Sequence, residues 1–161
     1  MKIIFLDVDG VLNCSSSKSS CGAYVGIDDS RLKLLRKIVD ETGAKIVLVS
    51  TWKANWQKDP FKKSLQDSLA NYLDRKFKKY GLFVSDKTPN REGKKFLSRG
   101  QGIVSYLLGS KTVDSFVILD DCVFDYDSCE LTDNFVKTDF QKGGLNEKHT
   151  NLAINILNKA S

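Results

Sequence analysis

No hydrophobic run in this 161-residue chain is long enough to cross a lipid bilayer, which takes about 20 apolar residues. The apolar run at the amino terminus, residues 3–6, is too short for the core of a secretory signal peptide, and no cleavage site follows it. The sequence therefore predicts a protein that makes no membrane contact, and we expect it in the cytoplasm.

Residue types that commonly bind zinc are scarce. The cysteines form two pairs, Cys14 with Cys21 and Cys122 with Cys129, and the spacing within each pair matches no common zinc motif. In a reducing cytoplasm we predict free thiols. The one histidine, His149, lies near the start of the last predicted helix and is expected to be exposed or to cap that helix rather than to act in catalysis.

Length and charge limit the domain count and suggest a class of partner. A chain of 161 residues suits one compact domain, so we predict a single domain over residues 1–161. The net charge is +5, with lysines concentrated in residues 58–79 and 87–99. This charge has two interpretations: a solvated helix surface, or contact with an anionic partner such as nucleic acid or a phosphorylated molecule.

Short apolar runs alternate with helical patterns along the chain. The patterns predict strands at residues 2–6, 45–49, 82–84, 116–119 and 135–136. Helices are predicted over 28–42, 59–81 (with Asp59 as cap and Gly81 as stop), 98–109 and around 152–157, with polar loops over 14–26 and 85–97. This alternation predicts a three-layer, Rossmann-like α/β fold: a mostly parallel five-stranded sheet with helices on both faces.

Polar residues follow three of the predicted strands. They are Asp7 and Asp9, Ser50 and Thr51, and Asp120 and Asp121. A basic segment with Lys94, Lys95 and Arg99 precedes the fourth strand, and Asp125 follows it. Because ligands of parallel sheets bind beyond the carboxyl ends of the strands, we expect these side chains to share one site.

The chemistry of such an edge favours a phosphate-handling site. Several carboxylates facing one cleft repel each other, and Mg²⁺ relieves the repulsion because it prefers oxygen ligands and bridges to phosphates. A basic side chain and a hydroxyl suit the remaining phosphate oxygens. One carboxylate can then attack phosphorus, and a second can protonate the leaving oxygen.

Each part of this pattern also has a simpler interpretation. Asp-x-Asp-Gly occurs in turns and calcium loops, Ser50 and Thr51 can cap a helix, Asp120 can begin a loop, and Arg99 can be a surface residue. The combination of all parts in this order is what favours phosphate chemistry.

Four segments resemble the motifs of the haloacid dehalogenase (HAD) superfamily of phosphohydrolases. FLDVDGVLN resembles the first motif, VLVST the second, the basic residue before the fourth strand the third, and ILDD the fourth. More narrowly, TGAKIVLVSTW, RGQGIVSYL and FVKTD with GGL are similar to the HAD domain of Swiss-army-knife RNA repair proteins. Thr51-Trp52-Lys53 stands where those relatives usually carry Ser-Trp-Arg, so an aromatic and a cation are kept.

The resemblance implies a role for each candidate residue. Asp7 would be the nucleophile and a Mg²⁺ ligand, and Asp9 the general acid and base with its main-chain carbonyl on the metal. Ser50 would bind the transferring phosphoryl group, with Thr51 close by. Arg99 is the preferred third-motif cation, with Lys94 and Lys95 as alternatives. The metal would also be held by Asp121, with Asp120 sharing that task or holding a water, and with Asp125 in the surroundings.

Relatives can carry a cap domain in two segments, of which residues 14–26 are too short here and residues 52–98 contain only one clear helix and a strand that the core sheet can use. The resemblance therefore implies an open site without a large cap. An open site admits the end of a polymer. The aromatics near the lysines suit either nucleic acid or core packing: Trp52, Trp56, Tyr72, Phe77 and Tyr80. We predict a Mg²⁺-dependent phosphatase that forms an aspartyl-phosphate, with nucleic-acid ends as one substrate class. A small-metabolite or nucleotide phosphatase and a non-catalytic phospho-receiver are the alternatives, and the oligomeric state is left open.

Overall fold

A computed structural model describes residues 1–110 and 112–159 of the chain. Its central sheet contains β1 (Lys2–Leu6), β2 (Lys45–Leu48), β3 (Val84–Lys87), β4 (Ser115–Asp120) and β5 (Phe135–Lys137). The strand order is β3-β2-β1-β4-β5, and every neighbouring pair is parallel. The α-helices are α1 (Asp29–Thr42), α2 (Ser68–Lys79), α3 (Arg99–Gly109) and α4 (Glu147–Asn158). The predicted five-stranded α/β sheet is confirmed.

The alternation of side chains along β1 divides the core between the two faces of the sheet. Ile4 and Leu6 point to one face, where they pack with buried residues of α1, α2 and α4. Ile3 and Phe5 point to the other face and pack with Ile103 of α3. Because β1 is buried on both faces, it reads as a continuous apolar run.

The helix ends follow capping rules that the sequence carries. Gly43 ends α1 with φ +70°, a conformation that favours glycine. Ser98 and Gln101 form a reciprocal capping box at the start of α3. Asn146 and His149 do the same for α4, which confirms the predicted capping role of His149.

The single helix predicted over residues 59–81 is wrong. Asp59 does begin a helical segment, but this is a 3₁₀ helix, Pro60–Leu65, and it ends before α2 starts. Gln66 adopts an extended conformation, and Asp67 accepts a hydrogen bond from the amide of Ala70, so it caps a new helix. The helical spacing of apolar residues continues across this break, so the sequence pattern did not indicate the second cap.

The predicted loops contain two short hairpins. One pairs Ser20–Cys21 with Tyr24–Val25, and the other pairs Arg91–Glu92 with Lys95–Phe96. The third strand lies at Val84–Lys87 rather than at residues 82–84, so its end extends into the second predicted loop. Neither hairpin is large enough to be a cap domain, in agreement with the prediction.

Burial decides between the interpretations of several side chains. The predicted aromatics pack in or against the core, which supports core packing for them: Trp52, Trp56, Tyr72, Phe77 and Tyr80. The cysteines are free thiols, as predicted. Within the described ranges, no helix combines the length and the hydrophobicity that a membrane span needs.

Candidate active site

Aspartates from two neighbouring strands lie side by side at the carboxyl edge of the sheet. β1 pairs with β4, and the amide of Asp7 donates to the carbonyl of Leu119 at 2.9 Å. Asp7 is 6% exposed and Asp120 is fully buried. The parallel pairing therefore brings together two carboxylates that lie 113 residues apart in the sequence.

Arg99 lies between these two carboxylates. Its Nη1 atom is 3.2 Å from Asp7 Oδ1 and 2.8 Å from Asp120 Oδ2. The Tyr126 hydroxyl donates to the same Asp120 oxygen at 2.6 Å. Burial alone would lower the pKa of the Arg99 guanidinium, but Asp7 and Asp120 raise it above its ordinary value, so the side chain is a permanent cation.

One arginine does not neutralise the negative charge of this site. Burial, followed by repulsion from Asp120, raises the pKa of Asp7 from 3.8 to about 8, although Arg99 opposes the shift. Burial and Asp120 also raise the pKa of Asp121. Carboxylates held together at this cost are the donor set that a divalent cation fits.

The loop after β1 makes room for the second acid pair. Gly10 has φ +82°, and a Cβ atom there would lie 2.2 Å from Asp121 Oδ2. The Asp121 carboxylate therefore packs directly on the backbone of this loop. Ligand atoms of Asp120, Asp121 and Cys122 lie within 4.8 Å of one another. Burial and Asp121 raise the pKa of the Cys122 thiol, which leaves the carboxylate oxygens as the ligands suited to Mg²⁺.

Two neutral donors hold the Asp9 carboxylate. Trp52 Nε1 donates to Oδ2 at 3.1 Å, and Asn13 Nδ2 donates to Oδ1 at 2.9 Å. The side-chain oxygen of Asn13 in turn accepts from the amide of Gly10 at 2.9 Å. Sequence reasoning did not assign Asn13, Trp52 or Tyr126 to the site, because the type of a neutral side chain does not indicate which carboxylate it will bind.

Ser50 and Thr51 follow β2, next to β1 in the sheet. Ser50 is buried and its Oγ atom accepts from the amide of Trp52 at 3.1 Å, so it caps the 3₁₀ helix Thr51–Lys53 and keeps its own proton for donation. Thr51 is exposed. Both line a cleft of about 640 Å³ that also has Arg99 on its wall.

The other basic candidates form no ion pair with the acids in the described ranges. Lys94 and Lys95 are exposed in the second hairpin, and Lys95 lines a separate groove along α3. Asp125 accepts from the amide of Gly100 at 2.9 Å and from the Ser98 hydroxyl. Asp125 therefore fixes the start of α3, the helix that carries Arg99.

The fold and this edge together define the class of the protein. A parallel α/β sheet that gathers an Asp-x-Asp pair, a serine, a basic residue and a second acid pair at its carboxyl edge has the arrangement of the HAD superfamily. The chain belongs to the family described as the HAD domain in Swiss Army Knife RNA repair proteins, whose family model matches residues 3–150. No curated protein and no solved structure gives a significant match to the chain. The family supports a HAD-type phosphohydrolase that acts on a phosphorylated substrate.

Proposed function

We propose that the protein is a Mg²⁺-dependent phosphomonoesterase that removes phosphate from nucleic-acid ends through an aspartyl-phosphate on Asp7. The observation that carries this proposal is the position of Arg99 between Asp7 and Asp120, on the wall of an open cleft. This arrangement combines a carboxylate nucleophile with a fixed cation for phosphate oxygens.

The carboxylates fit a metal site. Asp7, Asp120 and Asp121 would hold Mg²⁺ together with the main-chain carbonyl of Asp9, and the repulsion among buried acids supports this set. Bound Mg²⁺ would supply charge neutralisation at the acids and at the phosphoryl oxygens.

In the first step, the Asp7 carboxylate attacks phosphorus while the bond from phosphorus to the ester oxygen breaks. Ser50 donates a hydrogen bond to the transferring group, and Arg99 stabilises its charge. Protonated Asp9 gives its proton to the leaving oxygen, which departs as an alcohol.

In the second step, Asp9 accepts a proton from water, and the water oxygen attacks the phosphorus of the aspartyl-phosphate. The bond between phosphorus and Asp7 breaks, which releases inorganic phosphate and restores both carboxyl groups. Trp52 and Asn13 keep Asp9 in one orientation through both steps.

Two observations support nucleic-acid ends as the substrate. The cleft is open, with no large cap over it in the described ranges, so a polymer end has access. The family is described from RNA repair proteins.

A phosphate-release assay with Mg²⁺ tests the proposal. We expect hydrolysis of an aryl phosphate that Asp7→Asn abolishes and that the matched variant Asp133→Asn retains, because Asp133 is exposed before β5, away from the cleft. A panel of oligonucleotides with 3′ or 5′ phosphates, nucleotides and sugar phosphates then tests the substrate class. Turnover of nucleotides or sugar phosphates with none of any oligonucleotide would make the protein a small-metabolite phosphatase.

A further inference from the structure

The cleft beside the acids contains a buried lysine that the steps above do not use. Lys53 is 8% exposed and lines the cleft. Its Nζ atom donates to the carbonyl oxygen of Thr88 at 2.9 Å and to the Thr88 hydroxyl at 2.7 Å. An ammonium group has three N–H donors, so one remains for a ligand.

Lys53 has cations as neighbours but no counter-ion in the described part of the chain. Burial, followed by repulsion from Arg99 and Lys87, lowers its pKa from 10.5 to about 8. Lys87 donates to the main-chain carbonyls of Lys53 and Trp56 at 3.0 and 2.7 Å, and so neutralises no charge. A buried cation without a counter-ion is costly unless an anion arrives.

The carboxylates of Asp125, in the same cleft, and of Asp86, beside Lys87, have other partners. Asp125 lines the same cleft, but its oxygens accept from Ser98, from the amide of Gly100 and from the Cys129 thiol. Asp86 pairs with Lys58 at 2.9 Å. Neither forms an ion pair with Lys53 in the described ranges.

The lining of the cleft also contains apolar side chains, one of them an aromatic ring. Leu97 and Phe124 line it, and Phe124 is 50% exposed. The Arg99 guanidinium carbon lies 4.2 Å from the centre of the Phe124 ring. Phe124 has φ +42°, a strained conformation for a residue other than glycine, and such strain clusters at binding sites.

We propose that the part of the cleft lined by Lys53 and Phe124 is a second phosphate subsite, in which Lys53 binds the phosphodiester next to the terminal phosphate and Phe124 stacks on the adjoining base. This inference rests on the proposed function, because the terminal phosphate occupies Ser50 and Arg99. A substrate with one phosphate leaves Lys53 without a counter-ion, so the enzyme distinguishes a polynucleotide end from a simple phosphate ester.

Binding of UpU, a dinucleotide with one phosphodiester and no terminal phosphate, tests the subsite without catalysis. We expect calorimetry to show weaker binding in Lys53→Met by about tenfold to a hundredfold, as for loss of a hydrogen bond to a charged group. The control Lys58→Met, an exposed lysine paired with Asp86, should bind UpU as the wild type does. The plot of log binding constant against log salt concentration should be less steep in Lys53→Met than in the wild type, by about 0.7 in slope, because one fewer phosphate is neutralised.

Kinetics distinguish this inference from the proposed function. Lys53→Met should lose at least tenfold more kcat/KM on a terminally phosphorylated dinucleotide than on an aryl phosphate. Equal losses on both substrates would assign Lys53 to the transferring phosphate and overturn the second subsite, although the phosphatase would stand.

A second variant covers the case in which Lys53→Met does not fold. Phe124→Leu keeps an apolar side chain at an exposed position and should weaken UpU binding several-fold. Unchanged UpU binding in Phe124→Leu would exclude stacking. Binding of a nucleoside bisphosphate without binding of UpU would exclude the phosphodiester.

Discussion

The indole nitrogen of Trp52 lies 3.1 Å from Asp9 Oδ2, so a residue that packs in the core also orients the proposed general acid. Trp56, four residues later, makes the same kind of bond to Asp74 at 3.0 Å, on α2. Both indoles are 2% exposed. The chain thus contains two similar tryptophan–carboxylate pairs, of which one belongs to the candidate site.

This pair of tryptophans gives a matched test. Trp52→Phe keeps a buried ring but removes the donor to Asp9, and a hydrogen bond to a charged group contributes about 1.5–3 kcal/mol. We expect kcat to fall about tenfold to a hundredfold, with a small change in KM. Trp56→Phe should lower the melting temperature about as much as Trp52→Phe does, but should keep the wild-type kcat. Equal kcat losses in the two variants would refute positioning by Trp52.

Arg99 should be the basic residue on which hydrolysis depends. Arg99→Gln leaves Asp7 and Asp120 facing each other without their shared cation and removes a donor to the phosphoryl group. Loss of one such donor lowers kcat by about 10²–10³-fold, which a steady-state assay with an aryl phosphate measures. The double variant Lys94→Gln/Lys95→Gln should lose less than tenfold in kcat. If it lost more than Arg99→Gln, the phosphate-binding cation would instead belong to the second hairpin.

Gly10 should be required for metal binding. In Gly10→Ala the new Cβ atom collides with the Asp121 carboxylate, and a positive φ costs an alanine about 1–2 kcal/mol. Gly93→Ala carries a similar backbone cost at φ +59° but meets nothing within 4 Å. Thermal unfolding with and without Mg²⁺ should show metal stabilisation in the wild type and in Gly93→Ala, and a smaller effect in Gly10→Ala. Equal stabilisation in all three proteins would remove Asp121 from the metal site.

Because of Lys53, the free energy of unfolding should increase as the pH rises. Its pKa is about 8 in the folded protein and 10.5 ordinarily, so the unfolded chain binds more protons between these values. The cost of the buried charge is complete below pH 8 and is relieved as the pH rises to 10.5. Urea unfolding should show the wild type gaining on the order of 1–3 kcal/mol relative to Lys53→Met over this window. Lys58→Met should show no such trend, and a flat difference for Lys53→Met would contradict the shift.

The strand-end rule predicted which candidate side chains follow neighbouring strands at one edge of the sheet, because it depends on topology alone. β2, β1 and β4 are neighbours and parallel, so Ser50, Asp7 and Asp120 reach the same edge whatever the loops do. The hydrogen-bond partners of these acids could not be predicted in this way. The contact of Tyr126 with Asp120 depends on the conformation of the loop after β4, which the spacing of apolar residues does not predict.

Local sequence signals predicted helix ends correctly where a single residue sets the end, and failed where two capping residues compete. Gly43 and Ser98 mark helix ends by backbone conformation and capping, and the helix bounds predicted beside them, at residues 42 and 98, agree with the structure to within one residue. Between residues 59 and 81 two aspartate caps lie eight residues apart, and the apolar spacing suits one long helix as well as two short ones. The extended conformation of Gln66 separates the two helices, and its side-chain Nε2 atom donates to Asn71 and Asp74 in α2. Apolar spacing does not predict these polar contacts.

The loop that carries Asp9 is tied to residues near the other end of the described chain. The Thr138 hydroxyl donates to the carbonyl of Gly10 at 2.6 Å, across 128 positions, and the amide of Leu145 donates to the carbonyl of Val11 at 2.9 Å. Contacts of such long sequence separation slow folding, since a large loop must close before they can form. During synthesis, the segment that contains Thr138 and Leu145 must therefore leave the ribosome before these contacts can hold the loop that carries Asp9.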